Sequence, residues 1–205
     1  MPAKAMSAVG RFAAATAATG VTVLSYAAYS ARHVRLVKTG PAKDTLLAQA
    51  VEVPESGFKG KGDCFRLDVP GHVPIERFVH AFFTSWLFKL ERLVLPVATT
   101  DSLAKDFAYS RVNEFAIWTA KERTDSELLA TWAEEHSPAT GATWMRVVHG
   151  KDDDGKPKTC LEFGSAIATG DMPYQKAVMA VAMPLHLAYS GLLLGAAAGN
   201  IDRTE

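Results

Sequence analysis

The chain has six histidines, at positions 33, 72, 80, 136, 149 and 186. They are the side chains best suited to exchanging a proton near neutral pH. None forms an HExxH motif, and none neighbours a cysteine at a zinc-ligand spacing, so the sequence calls for no metal and no cofactor. Glu76 and His80 stand four apart, the spacing of an exposed pair on one helical face. Asp152-Asp153-Asp154-Gly155 lacks the alternating ligands and the distal Glu of a calcium loop and reads as a hairpin tip. Ser165 lies in no GxSxG elbow. His186 differs from the rest: it interrupts an otherwise apolar stretch, where a titratable group faces either the core or a cavity.

The tryptophans offer a second kind of chemistry. Trp118, Trp132 and Trp144 fall on three successive predicted strands, and Trp86 falls on the apolar stripe of a predicted helix. On a shared sheet face they would line the space between sheet and helices. That space is either plain aromatic core or an apolar ligand pocket whose polar contact comes from His186, Tyr189 or Arg146. An open cavity of at least ~300 Å³ would carry the pocket reading.

These residues need elements to position them. Leu46 to Val53 is an apolar run that reads as a first strand. Asp63 to Val69 alternates Cys64, Arg66 and Asp68 against Phe65, Leu67 and Val69, a half-buried strand closed by Pro70-Gly71. Pro74 to Leu95 reads as one long amphipathic helix, with Ile75, Phe78, Val79, Phe82, Phe83, Trp86, Leu87, Leu90, Leu93 and Val94 on its core stripe. Pro74 suits its first turn and Pro96 stops it. Phe88 alone breaks the polar face. Thr100 or Asp101 caps a short second helix carrying Leu103 and Phe107.

From Val112 the period becomes two. Strands are predicted over 112–122, 127–134, 142–149 and 158–168. A three-residue loop at 124–126 sets Trp118 opposite Trp132 and Ala120 opposite Ala130, and Asp154-Gly155 turns the last hairpin. Gly164 and Ser165 mark a bulge or a close approach to another element. A C-terminal helix from about Pro184 packs Leu185, Tyr189, Leu192 and Leu193 on this meander, although the uncharged run 177–199 is also long enough to cross a bilayer. Cys64 and Cys160 make no disulfide framework and read as buried free thiols.

None of the 22 acidic residues precedes Asp44, whereas six of the 22 basic ones do, giving a +6 leader and a −6 body. Residues 12–31 carry no charge. The expected organisation is a targeting or anchor segment over 1–43 and one domain over 44–205. With 48% hydrophobic and 21% charged residues the chain has the composition of a globular protein, not a disordered one. An acidic body without a basic stripe argues against nucleic acid as partner. The favoured reading is a single N-terminal span through residues 12–31. Two basic residues precede it and four follow, so the positive-inside rule turns the body to the cytoplasm. A mitochondrial presequence and a cleaved secretory signal are the alternatives.

The fold class is therefore α+β: an antiparallel meander packed against a long amphipathic helix and a C-terminal helix, behind an N-terminal apolar segment. This element order resembles the START-like helix-grip fold, in which a curved sheet wraps a C-terminal helix around a hydrophobic cavity. AFFTSWLFKLERLVL (81–95), LEFGSAI (161–167) and LHLAYSGLLL (185–194) resemble segments of bacterial proteins of unknown function. That local similarity carries no activity and no functional residues. Leader, fold and tryptophan placement together give as the leading expectation a membrane-tethered domain that binds an apolar small molecule or lipid without transforming it, with Trp118, Trp132, Trp144, Arg146, His186 and Tyr189 at the site. Two alternatives accompany it. One is an enzyme of the cyclase or dehydratase kind, with His186, His80 or Glu114 as acid–base. The other is a structural or assembly protein with no cavity.

Overall fold

The computed structural model describes residues 31–53, 58, 62–92, 100–133, 140–168 and 173–201. Residues 12–30, nearly all of the apolar leader, lie outside the described residues. Seven strands form one antiparallel sheet: β1 (Arg35–Leu36), β2 (Phe65–Pro70), β3 (Glu114–Phe115), β4 (Trp118–Arg123), β5 (Glu127–Ala133), β6 (Thr140–Lys151) and β7 (Pro157–Ala168). Their spatial order is β1-β2-β7-β6-β5-β4-β3. Among the described residues, helices α1 (Leu46–Glu52), α2 (Ile75–Phe83), α3 (Trp86–Arg92), α4 (Asp101–Ala108) and α5 (Pro173–Ala198) join the sheet in an α+β domain.

The meander follows the expected register. Trp118 faces Trp132 and Ala120 faces Ala130 across β4 and β5. Gly155 turns the β6–β7 hairpin at φ +77°, the left-handed conformation that Asp-Gly supplies without strain. β7 pairs without a break to β6 on one side and β2 on the other, so Gly164 marks a close approach and not a bulge. A Cβ there would stand 2.4 Å from the Asp63 carbonyl oxygen.

Several elements depart from expectation. Leu46–Glu52 is helical, not extended: the Thr45 hydroxyl caps it by accepting from the Ala48 amide. A short apolar run fits either geometry, and here the cap decides. The long helix is broken into α2 and α3 at Thr84–Ser85, where the Thr84 hydroxyl bonds back to the His80 carbonyl. The break re-phases the second segment. Phe88 turns into the core at 1% exposure, while Leu90, expected on the buried stripe, is 48% exposed. Two short strands, β1 and β3, raise the number to seven; β1 pairs with β2 from within the basic leader. The C-terminal helix begins at Pro173, with Pro184 inside it.

One face of the sheet packs on α2, α4 and α5. Phe82, Phe83, Phe88, Phe107, Phe115 and Trp118 interlock there, with ring centroids about 5–6 Å apart and many contacts edge to face. The other face carries a smaller cluster of Leu46, Leu47, Cys64, Leu129, Ala142, Trp144 and Ala166 under α1. α5 docks on the first face through Leu193, Leu194 and Ala197, which are all buried. Among the described residues no helix is long and apolar enough to cross a membrane.

Candidate functional site

Strand alternation decides which side chains can meet. Partners directly opposite in an antiparallel ladder share a face. Trp118, Trp132, Thr143 and Ser165 therefore point toward α5, and Trp144 and Arg146 point the other way. Between sheet and α5 lies a cavity of about 220 Å³. Its walls are Phe82, Phe88, Ile117, Trp118, Trp132, Phe163, Tyr189 and Leu193, and its polar groups are Thr143, Ser165, His186 and Ser190. Four of the six residues expected at a ligand site, Trp118, Trp132, His186 and Tyr189, thus line one space. That space is smaller than the ~300 Å³ typical of ligand pockets, because the phenylalanine cluster fills much of the interval between the layers.

Trp144 and Arg146, also expected at a ligand site, do not line this cavity. Trp144 is fully buried on the opposite face, where its indole N–H donates to Glu127 Oε2 at 2.7 Å. The same oxygen accepts from the Leu46 amide at 2.9 Å, tying α1 to the sheet. Arg146 lies beside Glu127, Glu162 and Asp44 at 3.4–3.8 Å. Arg66 contacts buried Glu162 at 2.5 Å. These two arginines and three carboxylates pair around the helix anchor, and none of them lines the cavity. Glu114 is exposed on β3, and His80 sits on α2 away from the cavity lining.

The polar end of the cavity is built from three segments distant in sequence. Asp63 continues the β2–β7 ladder: its amide donates to the Ser165 carbonyl at 2.9 Å. Its carboxylate then turns back on the same residue. Oδ1 accepts from the Ser165 amide at 2.8 Å, and Oδ2 accepts from the Ser165 hydroxyl at 2.8 Å. His186 reaches both from α5, with Nε2 2.8 Å from Ser165 Oγ and 3.0 Å from Asp63 Oδ2. Ser190, one turn along, stands 3.5 Å from the same nitrogen.

Proton counting fixes the roles. The single Ser165 hydroxyl proton goes to Asp63, so Nε2 must carry a hydrogen and donate it. In the neutral imidazole the lone pair is then on Nδ1, which has no hydrogen-bond partner among the described residues. This is not a serine-nucleophile triad, in which the imidazole would accept the hydroxyl proton. It is a histidine held by a carboxylate through one ring nitrogen. Beside it, Thr143 faces Ser165 across the β6–β7 ladder. The Thr143 hydroxyl accepts from the Trp118 indole N–H at 3.1 Å, and its own proton has no acceptor among the described residues.

Other titratable groups belong to the scaffold. Burial pushes the thiols of Cys64 and Cys160 up to about 12, and both are free. Burial first, and the Lys105 ammonium second, hold His80 below its ordinary range against the opposing pull of Asp101. Asp152 Oδ1 accepts from the amides of Asp154 and Lys156, which makes the acidic tip a self-bonded turn. Among the described residues no group of three or more His, Cys, Asp or Glu side chains is placed to hold a metal.

His186 was legible as the odd polar residue of an apolar helix. Asp63 and Ser165 were not, because their partnership depends on the pairing of strands 102 positions apart. No protein-family model matches the chain, and no curated protein matches it in sequence.

Proposed function

We propose that the chain is a membrane-tethered domain that binds one small, mostly apolar molecule between the sheet and α5. The apolar part would lie among Phe82, Phe88, Trp118 and Trp132, and its polar group would meet His186 and Thr143. The observation that carries the reading is the junction of aromatic walls with a polar cluster at one end of a single cavity. Few, well-placed polar groups in an apolar hollow fix a ligand's orientation while burial supplies its affinity. A cavity of about 150 Å³ admits a benzene ring, so 220 Å³ suits one ring with a short substituent better than a whole lipid chain. The START-like arrangement is supported by an antiparallel sheet with a C-terminal helix across one face. Tethering through residues 12–31, with the domain toward the cytoplasm, rests on the charge pattern of the leader.

Native mass spectrometry of the gently purified full chain, followed by solvent extraction, tests the binding reading. A stoichiometric bound species of this size that leaves on extraction is the expected result. No bound species, together with no uptake from a panel of small aromatic compounds, would sink it.

A further inference from the structure

We propose that the cavity also transfers protons on its ligand, acting on a small apolar carbonyl compound with His186 as base. The inference rests on the cavity being a ligand site and adds what that site does. Two complementary groups belong to side chains that line the same space. His186 offers the Nδ1 lone pair, because Nε2 is committed to Asp63 and Ser165 at 3.0 and 2.8 Å. Thr143 offers a hydroxyl proton, because its oxygen is already occupied by the Trp118 N–H at 3.1 Å. Thr143 and Ser165 are directly opposed on neighbouring strands, which sets their Cβ atoms about 5 Å apart. Ser165 in turn holds His186 through Nε2, so the donor and the base belong to neighbouring positions of one cavity wall, where a carbonyl oxygen and the C–H bond beside its carbon can be met together.

The step balances without a co-reactant. Nδ1 takes a proton from the carbon adjacent to the carbonyl. The C–H electron pair becomes the C=C bond of an enolate, and the carbonyl π pair moves to oxygen, where the Thr143 hydroxyl stabilises it by a hydrogen bond. The imidazolium, held by the Asp63 carboxylate, returns the proton to the same carbon or to a conjugated one, and the carbonyl re-forms. Asp63 is a positioning residue: it fixes the tautomer and orientation of the ring and stabilises its charged form. Apolar walls strengthen each of these interactions by excluding water.

The test follows acetophenone with the full-length protein in D2O. Proton NMR reads the exchange of its methyl hydrogens for deuterium, and saturation-transfer difference on the same sample reads binding. The wild type is expected to bind and to exchange faster than buffer. His186→Gln should lose about 100-fold of the exchange above background while still binding. Thr143→Val should lose exchange by a similar factor while still binding acetophenone and melting cooperatively, and Thr143→Ser should recover the exchange. A loss of binding and of cooperative melting in Thr143→Val would mark the threonine as structural, through its bond to Trp118, and overturn its role as donor. Acetophenone that binds and exchanges no faster than in buffer overturns the proton-transfer proposal and leaves the binding reading standing. A protein that does not bind it, or any related aromatic ketone, overturns both. His186→Gln exchanging at the wild-type rate assigns the chemistry elsewhere and overturns the proposal.

Discussion

The Asp63 carboxylate receives hydrogen bonds from the Ser165 amide, the Ser165 hydroxyl and the His186 ring, and so joins β2, β7 and α5 at one point. His80 shows the opposite condition. Its Nδ1 is buried without a partner among the described residues, and burial favours the neutral ring. The unfolded chain titrates at its ordinary 6.5 and the folded chain lower, so below that value the unfolded state binds the extra proton. The stability this residue contributes is whole above about pH 6.5 and is lost as pH falls through its depressed folded value. His149 adds to the trend in the same direction, through burial first and His72 second. Urea unfolding of the wild type is expected to lose midpoint between about pH 7.5 and 5.5, and His80→Gln should lose less. Equal losses in the two proteins would remove His80 from the account.

At the level of elements, α5 has two unlike sides. Leu194 is fully buried in the core, whereas Leu185 is 69% exposed. Leu194→Ala should cost about 2–5 kcal/mol, because a cavity opens beneath the helix, and Leu185→Ala should stay within about 0.5 kcal/mol. Denaturant titration separates the two, and comparable costs would mean that the helix docks through another face. The helix was legible as an apolar C-terminal segment, but not its true start at Pro173 or its depth of packing. The meander was legible because period two and the Asp-Gly turn are local signals that together fix the register of Trp118 and Trp132. The α2–α3 break was not, since Phe88 and Leu90 exchange places only when the Thr84 hydroxyl interrupts the helix. α1 is not legible as a helix because Leu46 and Leu47 suit a strand or a helix equally, and Glu127, which anchors it, is 81 residues away. The same distance problem hid Asp63. Alternation does give the face of Trp144 once the register of β5 and β6 is known, but periodicity alone does not say which face meets α5.

For the whole molecule, the two sides of one sheet do different work. The face under α1 holds paired charges that secure the scaffold, and the face under α5 holds an aromatic cavity with a carboxylate–histidine pair at its edge. The basic, acid-free leader proposes an address for this domain, and the cavity proposes its task. The claim that unites the molecule is that the space beside Ser190 is kept for a ligand. Ser190 is buried at 1% exposure on the cavity wall, so Ser190→Leu would fill that space from α5. The decisive measurement is a titration of the full chain with acetophenone, followed by quenching of tryptophan fluorescence, in the wild type and in Ser190→Leu. Saturable quenching is expected in the wild type, and at least about tenfold weaker binding in the variant, which should still melt cooperatively. Equal binding by the two proteins, or no saturable quenching in the wild type, would contradict it.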